Sequence, residues 1–104
     1  MFFHNLGLVL KDQGNFEDAI RVYQQAVQVS PSDSEAYNNL GNVLQEQERF
    51  AEGIAAYRKA IEIDSNQSSF FYNLGNILKE QGRLEESIEV YQQAIHIQPD
   101  RADA

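Results

Sequence analysis

Asparagine recurs along this chain at a fixed interval. Asn5, Asn39 and Asn73 stand 34 residues apart, and Asn42 and Asn76 repeat the spacing, with Leu8 at the corresponding earlier place. A primary amide both donates and accepts hydrogen bonds. A row of them could therefore pair with the N–H and C=O groups of an extended polypeptide, making contacts that depend little on its side chains. The competing reading is that these amides bridge neighbouring helices or bond locally. Spacings of three, four and seven bring further side chains onto the same face of a helix: His4, Lys11 and Asp12; Asn38, Gln45 and Glu46; Tyr72, Lys79 and Glu80. The candidate set for polypeptide contact is His4, Asn5, Lys11, Asn38, Asn39, Asn42, Gln45, Tyr72, Asn73, Asn76 and Lys79. Within it, His4, Lys11, Tyr72 and Lys79 are expected to set preference.

Other reactive residues do not gather in the sequence. There is no cysteine, which removes disulfides, thiol catalysis and zinc–thiolate sites. His4 and His96 fall at different places in the interval and form no metal pair. Glu17, Asp18, Glu52, Glu85, Glu86 and Glu89 read as solvated helix faces. Tyr23, Tyr57 and Tyr91 recur at the same interval and read as packing, not as a stripe for stacking bases. No serine–histidine–acid set, phosphate-binding glycine loop or metal-ligand spacing is present. The expectation is a non-enzyme without cofactor or metal. A net charge of −8 repels phosphate backbones and anionic headgroups, which argues against nucleic-acid or membrane partners. No apolar run approaches the roughly 20 residues of a membrane span. The opening Met1–Leu10 stretch lacks the basic start and cleavage site of a signal peptide, so it reads as folded and the chain as cytoplasmic.

The elements that must position these residues follow from the same period, because the whole chain of 104 residues repeats without a gap. Each unit has two halves. In the first, Phe3, Leu6, Leu10 and their counterparts Tyr37, Leu40, Leu44 and Phe71, Leu74, Leu78 follow helical spacing. In the second, Phe50, Ile54, Tyr57 and Ile61 line one face of another helix. Gly14 and Gly82 break the chain between halves, and Pro31 and Pro99 close the first and third units. Ser34 and Ser68 are N-cap candidates. Gly7, Gly41 and Gly75 lie inside helices at a cost of about 1 kcal/mol each, which implies close helix contact. Their expected neighbours are the small residues Ala19, Gly53, Ser87 and Ala26, Ala60, Ala94. The middle unit departs from the pattern with Glu48, Gly53 and Ser65, and is expected to be locally weaker.

The pattern resembles the tetratricopeptide repeat, whose signature runs aromatic-x₂-Leu-Gly-x₂-aromatic, then Ala-x₃-aromatic, then Pro. Phe3, Tyr37 and Phe71 open each unit, Leu-Gly is intact three times, and Leu10, Leu44 and Leu78 replace the next aromatic. Ala19, Gly53 and Ser87 stand four residues before Tyr23, Tyr57 and Tyr91. The resemblance implies an all-α, right-handed superhelix of three helix-turn-helix hairpins and six helices. The units would span 1–33, 34–67 and 68–101, with 102–104 beginning a fourth, as if cut from a longer array.

In the resembled family the first helix of each hairpin lines a concave surface. This implies a protein-interaction scaffold holding an extended segment there. The asparagine ladder is similar to that in the repeat arm of O-linked N-acetylglucosamine transferases, so a substrate-recruiting arm of a larger enzyme is the alternative. The family's clamp for chaperone C-termini is not matched: its places hold His4, Leu8, Asn39, Ser69 and Asn73, of which only Asn39 fits. A third reading is a structural module. Ile88, Tyr91 and Ile95 of an uncapped last helix would be exposed and could support end-to-end self-association.

Overall fold

A computed structural model describes the backbone of residues 2–97 and the side chains of residues 5–97. Phe3 and His4 side chains, Pro99 and the expected start of a fourth unit lie outside that range. The described residues form six helices and no strand: α1 (Phe2–Asp12), α2 (Phe16–Val29), α3 (Ser34–Glu46), α4 (Phe50–Ile63), α5 (Ser68–Glu80) and α6 (Leu84–Ile97). Each odd helix packs on the next as a hairpin. The hairpins stack through α2 on α3 and α4 on α5, with α1, α3 and α5 side by side.

The turn inside each hairpin is built the same way. Gly14 (φ 82°), Glu48 (φ 59°) and Gly82 (φ 80°) take the left-handed conformation. Their N–H groups donate to Lys11, Gln45 and Lys79, and the next residues donate to Leu10, Leu44 and Leu78 at 2.8–2.9 Å. This pair of bonds satisfies the last carbonyls of the preceding helix. Glu48 thus adopts the glycine conformation with a side chain attached, which carries a steric penalty. The expected serine caps are displaced by one residue. Asp33 is the N-cap of α3 and accepts from the Ala36 N–H at 3.2 Å, and Gln67 precedes α5, so Ser34 and Ser68 are first helical residues. A carboxylate one residue earlier reaches the free N–H groups of the first turn, which fixes the helix start there.

Inside the hairpins the helical glycines meet small residues at their backbone, as the sequence suggests for Gly53 and Ser87, but not at the place a Cβ would take. They face tyrosine rings. A Cβ on Gly41 would lie 2.7 Å from Tyr57 Cε1, one on Gly75 would lie 2.6 Å from Tyr91 Cε1, and Gly7 meets the Tyr23 ring in the same way. The missing side chain makes a slot for a flat ring, and Tyr23 and Tyr57 are fully buried in theirs. The small residues lie alongside, against the glycine backbone: Ser87 Oγ donates to the Gly75 carbonyl at 2.9 Å.

Between hairpins, Ile20, Tyr23, Leu40, Val43 and Leu44 form one core cluster, and Ile54, Tyr57, Leu74, Ile77 and Leu78 form its counterpart. One difference between the two explains Gly53. A Cβ there would come within 2.7 Å of Ile77 Cδ1. At the corresponding places of the first interface stand Ala19 and the shorter Val43. The small residue shrinks where its neighbour grows, and total volume is kept.

Two outcomes follow. Glu48→Gly should raise stability by up to about 1 kcal/mol, seen as a higher midpoint in urea, because left-handed strain is relieved. In a double-mutant cycle, Gly53→Ala should be clearly more favourable in an Ile77→Val background than in the wild type, with a coupling on the order of 1 kcal/mol. Equal effects in both backgrounds would break the size-compensation account.

Candidate functional site

The face built from α1, α3 and α5 is held together by polar pairs that share one offset. Asn73 Nδ2 donates to Asn38 Oδ1 at 3.0 Å and Gln45 Nε2 to Glu80 Oε1 at 2.5 Å, each pair 35 residues apart. Lys11 Nζ lies 3.8 Å from Glu46 Oε1, again 46 − 11 = 35. Successive first helices therefore lie side by side with a stagger of one residue beyond the repeat.

A second set of bonds comes up from beneath. The Tyr57 hydroxyl donates to Asn42 Oδ1 at 2.5 Å, with Gln45 Oε1 a second acceptor at 3.0 Å, and the Tyr91 hydroxyl donates to Asn76 Oδ1. The ring that fills the glycine slot thus reaches through to the face and orients its amides. With the amide oxygen engaged, the NH₂ groups of Asn42 and Asn76 remain to donate. Leu8 occupies this place in the first hairpin and cannot accept such a bond.

Lys11, Asn42 and Gln45, three of the residues singled out from the sequence, line one open depression of about 470 Å³. Glu46, Glu48, Phe50 and Glu80 complete it. Of these, Glu46 and Glu80 extend the stripe read from the sequence. Glu48 and Phe50 come from the turn and the second helix, outside the helices that the repeat pattern points to. Their one signal was the interruption of the turn glycine at Glu48. The depression holds one ammonium against three carboxylates.

The other candidates are placed separately. Asn38 is 8% exposed, so its amide supports Asn73 and does not itself present to a ligand. Asn39 and Asn73 are half-buried; Asn5 and Lys79 are exposed. Tyr72 is 49% exposed and packs its ring 5.6 Å from that of Tyr91 at a tilt of 51°. His4 lies outside the described side chains. Burial pushes the Tyr57 phenol well above its ordinary range, with the Glu46 and Glu80 carboxylates adding to the shift. Burial, followed by Asp12, raises Tyr23. Among the described residues no three acidic or histidine side chains are placed to hold a metal ion, and no helix is long and apolar enough to cross a membrane.

Stacked hairpins with a polar face of fixed amides define a helical-repeat array of the kind built for contact with other proteins. The chain belongs to the tetratricopeptide repeat family: the tetratricopeptide repeat profile matches residues 4–68, and further profiles of the same repeat match 56–89 and 75–104. Its fold is that of solved tetratricopeptide repeat superhelices. A crystal structure of MamA is 28% identical with a TM-score of 0.87, covering 93% of this chain and 57% of that one. YrrB, described as a TPR protein with an unusual peptide-binding site, is 29% identical with a TM-score of 0.88, covering 95% of this chain and 51% of that one. A mutant Thermobaculum terrenum O-GlcNAc transferase is 27% identical with a TM-score of 0.81, covering 91% of this chain and 18% of that one. The chain thus spans little more than half the length of the first two. No curated protein matches it significantly.

The buried phenols make an alkaline prediction. Tyr23 and Tyr57 are raised in the folded state above the ordinary value of 10.0. The unfolded chain then loses these protons first, so stability is intact below about pH 10 and falls as pH climbs beyond it. Phenolate absorbance should show part of the tyrosine signal appearing only with loss of helical circular dichroism. Normal titration of all five tyrosines in a folded chain would contradict the burial.

Proposed function

We propose that this chain is a protein-interaction scaffold that holds an extended polypeptide segment along the face of α1, α3 and α5. The observation that carries the reading is the fixing of half-buried Asn42 and Asn76 by tyrosine hydroxyls, which engages their amide oxygens and leaves a repeating pair of NH₂ groups on helices as donors. Donors held in place before binding lose little entropy when a ligand arrives, so weak single contacts add up. The spacing suits an extended chain. Packed helices lie about 8–10 Å apart, and three extended residues span about 10 Å, so each hairpin would engage roughly three residues. Exposed Tyr72 supplies an aromatic contact beside the amides, and Lys79 and the Lys11–Glu46 pair supply charge preference. The likeness to YrrB supports a peptide ligand. The likeness to a stretch of an O-GlcNAc transferase favours, as second reading, an arm that recruits substrate polypeptide to a catalytic domain elsewhere in a longer protein. The downstream gene sequence decides between them.

Unstructured peptides of about 12 residues and unrelated sequence, tested by fluorescence anisotropy, should bind the wild type in the micromolar range. The variant Asn42→Ala, Asn76→Ala, confirmed folded by circular dichroism, should bind at least about tenfold more weakly, a loss of about 1.4 kcal/mol. Equal binding by the folded variant would remove the amide row from the site.

A further inference from the structure

The amides of this face are engaged in one sense. Asn38 Oδ1 accepts from Asn73 Nδ2, Asn42 Oδ1 accepts from the Tyr57 hydroxyl with Gln45 Oε1 as its second acceptor, and Asn76 Oδ1 accepts from the Tyr91 hydroxyl. Gln45 is used at both ends, because its Nε2 donates to Glu80. Asn38 is buried. What these side chains leave for a ligand is the NH₂ group of Asn42 and that of Asn76, both residues half-buried. An NH₂ group gives a hydrogen bond to a ligand C=O and takes none from a ligand N–H. The pair therefore reads backbone carbonyls.

Their spacing selects the backbone conformation that can meet both. Asn42 and Asn76 hold the same place on neighbouring first helices, whose one-residue stagger amounts to about 1.5 Å of rise. Packed helices lie about 8–10 Å apart. In a β-strand the carbonyls on one side recur every two residues, at about 7 Å and then about 13 Å, and neither interval fits. In a polyproline II helix they return to one side every three residues, about 9 Å, and none is bonded within the segment itself. Proline fixes φ close to the value of that helix. Its missing N–H costs nothing opposite a group that only donates. A segment already held in this conformation also has little entropy left to lose on binding.

We infer that the segment received by this face is proline-rich and in the polyproline II conformation, one turn to a hairpin, with one carbonyl taken by Asn42 and another, three residues along, by Asn76. This rests on the proposed binding along the face and names the class of segment bound there.

Two fluorescein-labelled, uncharged peptides of about 12 residues test it by anisotropy in about 0.15 M salt. One carries proline at two places in every three and glutamine at the third. The other has alanine for every proline. The proline-rich peptide should bind the wild type at least about tenfold more tightly than the proline-free one. Asn42→Asp together with Asn76→Asp keeps an acceptor for each tyrosine hydroxyl and removes both NH₂ groups. That variant, confirmed folded by circular dichroism, should bind the proline-rich peptide at least about tenfold more weakly than the wild type, as Asn42→Ala with Asn76→Ala does. Equal or tighter wild-type binding of the proline-free peptide, still lost on Asn42→Ala with Asn76→Ala, would overturn the proline-rich class and leave the scaffold reading standing. Undiminished binding of the proline-rich peptide by the aspartate variant would show that ligand carbonyls are not what is read, and would overturn the inference. A wild type that binds neither peptide would overturn it together with the scaffold reading.

Discussion

The insertion of a tyrosine ring into a glycine slot is the interaction on which the rest of this structure depends. Gly7, Gly41 and Gly75 each give up helical propensity, and the aromatic ring opposite fills the space. The ring does three things at once. It sets how closely the two helices of a hairpin approach. Through Tyr23 and Tyr57 it joins the clusters that bind one hairpin to the next. In the second and third hairpins its hydroxyl emerges at the opposite face and fixes Asn42 or Asn76. Core packing and the chemistry of the face are thus linked through one side chain in each of these two hairpins. In those two hairpins a substitution that loosens the slot must also release an amide on the face.

Stacking imposes a second constraint. Hairpins related by 34 residues in sequence do not place equivalent residues opposite one another. The first helices slide by one residue, and the polar pairs are made 35 apart. Side chains along the face therefore alternate between supporting the neighbouring hairpin and remaining available. Asn38 is consumed in that support; Tyr72, at its equivalent place in the third hairpin, is open to solvent. A regular sequence consequently yields a face whose chemistry changes along its length, acidic near Lys11, Glu46 and Glu80 and aromatic near Tyr72.

The period made the helices, their order and the apolar clusters legible in the sequence, since Leu and Ile at helical spacing have one economical burial. The partner of the helical glycines was not legible. Spacing within a helix says that something must come close at Gly41, but not which residue across the turn fills the space. The caps were misplaced by one residue because Ser-Asp-Ser offers several side chains able to accept from the first turn, and only geometry selects Asp33. The cross-helix pairs required the one-residue stagger, which no single sequence reveals. Of the residues lining the depression, Lys11, Asn42 and Gln45 follow the repeat, whereas Glu48 and Phe50 enter from elements that the pattern assigns to turn and core.

The middle hairpin shows why departures from a repeat should be judged in pairs. Glu48 stands alone: it holds a left-handed conformation that the other two turns give to glycine, and nothing compensates the strain within the turn. Its carboxylate instead adds to the depression on the face. Gly53 is matched by Ile77 in the next hairpin, so its apparent defect belongs to an interface and not to its own helix. In a stack where each hairpin touches only its neighbours, stability is a sum of hairpin and interface contributions. The middle hairpin alone has both interfaces within the described residues, and Gly53 allows one of them to close around a larger side chain. Of the unusual residues, Glu48 therefore marks a strained turn and Gly53 a core that its neighbour has grown to fill.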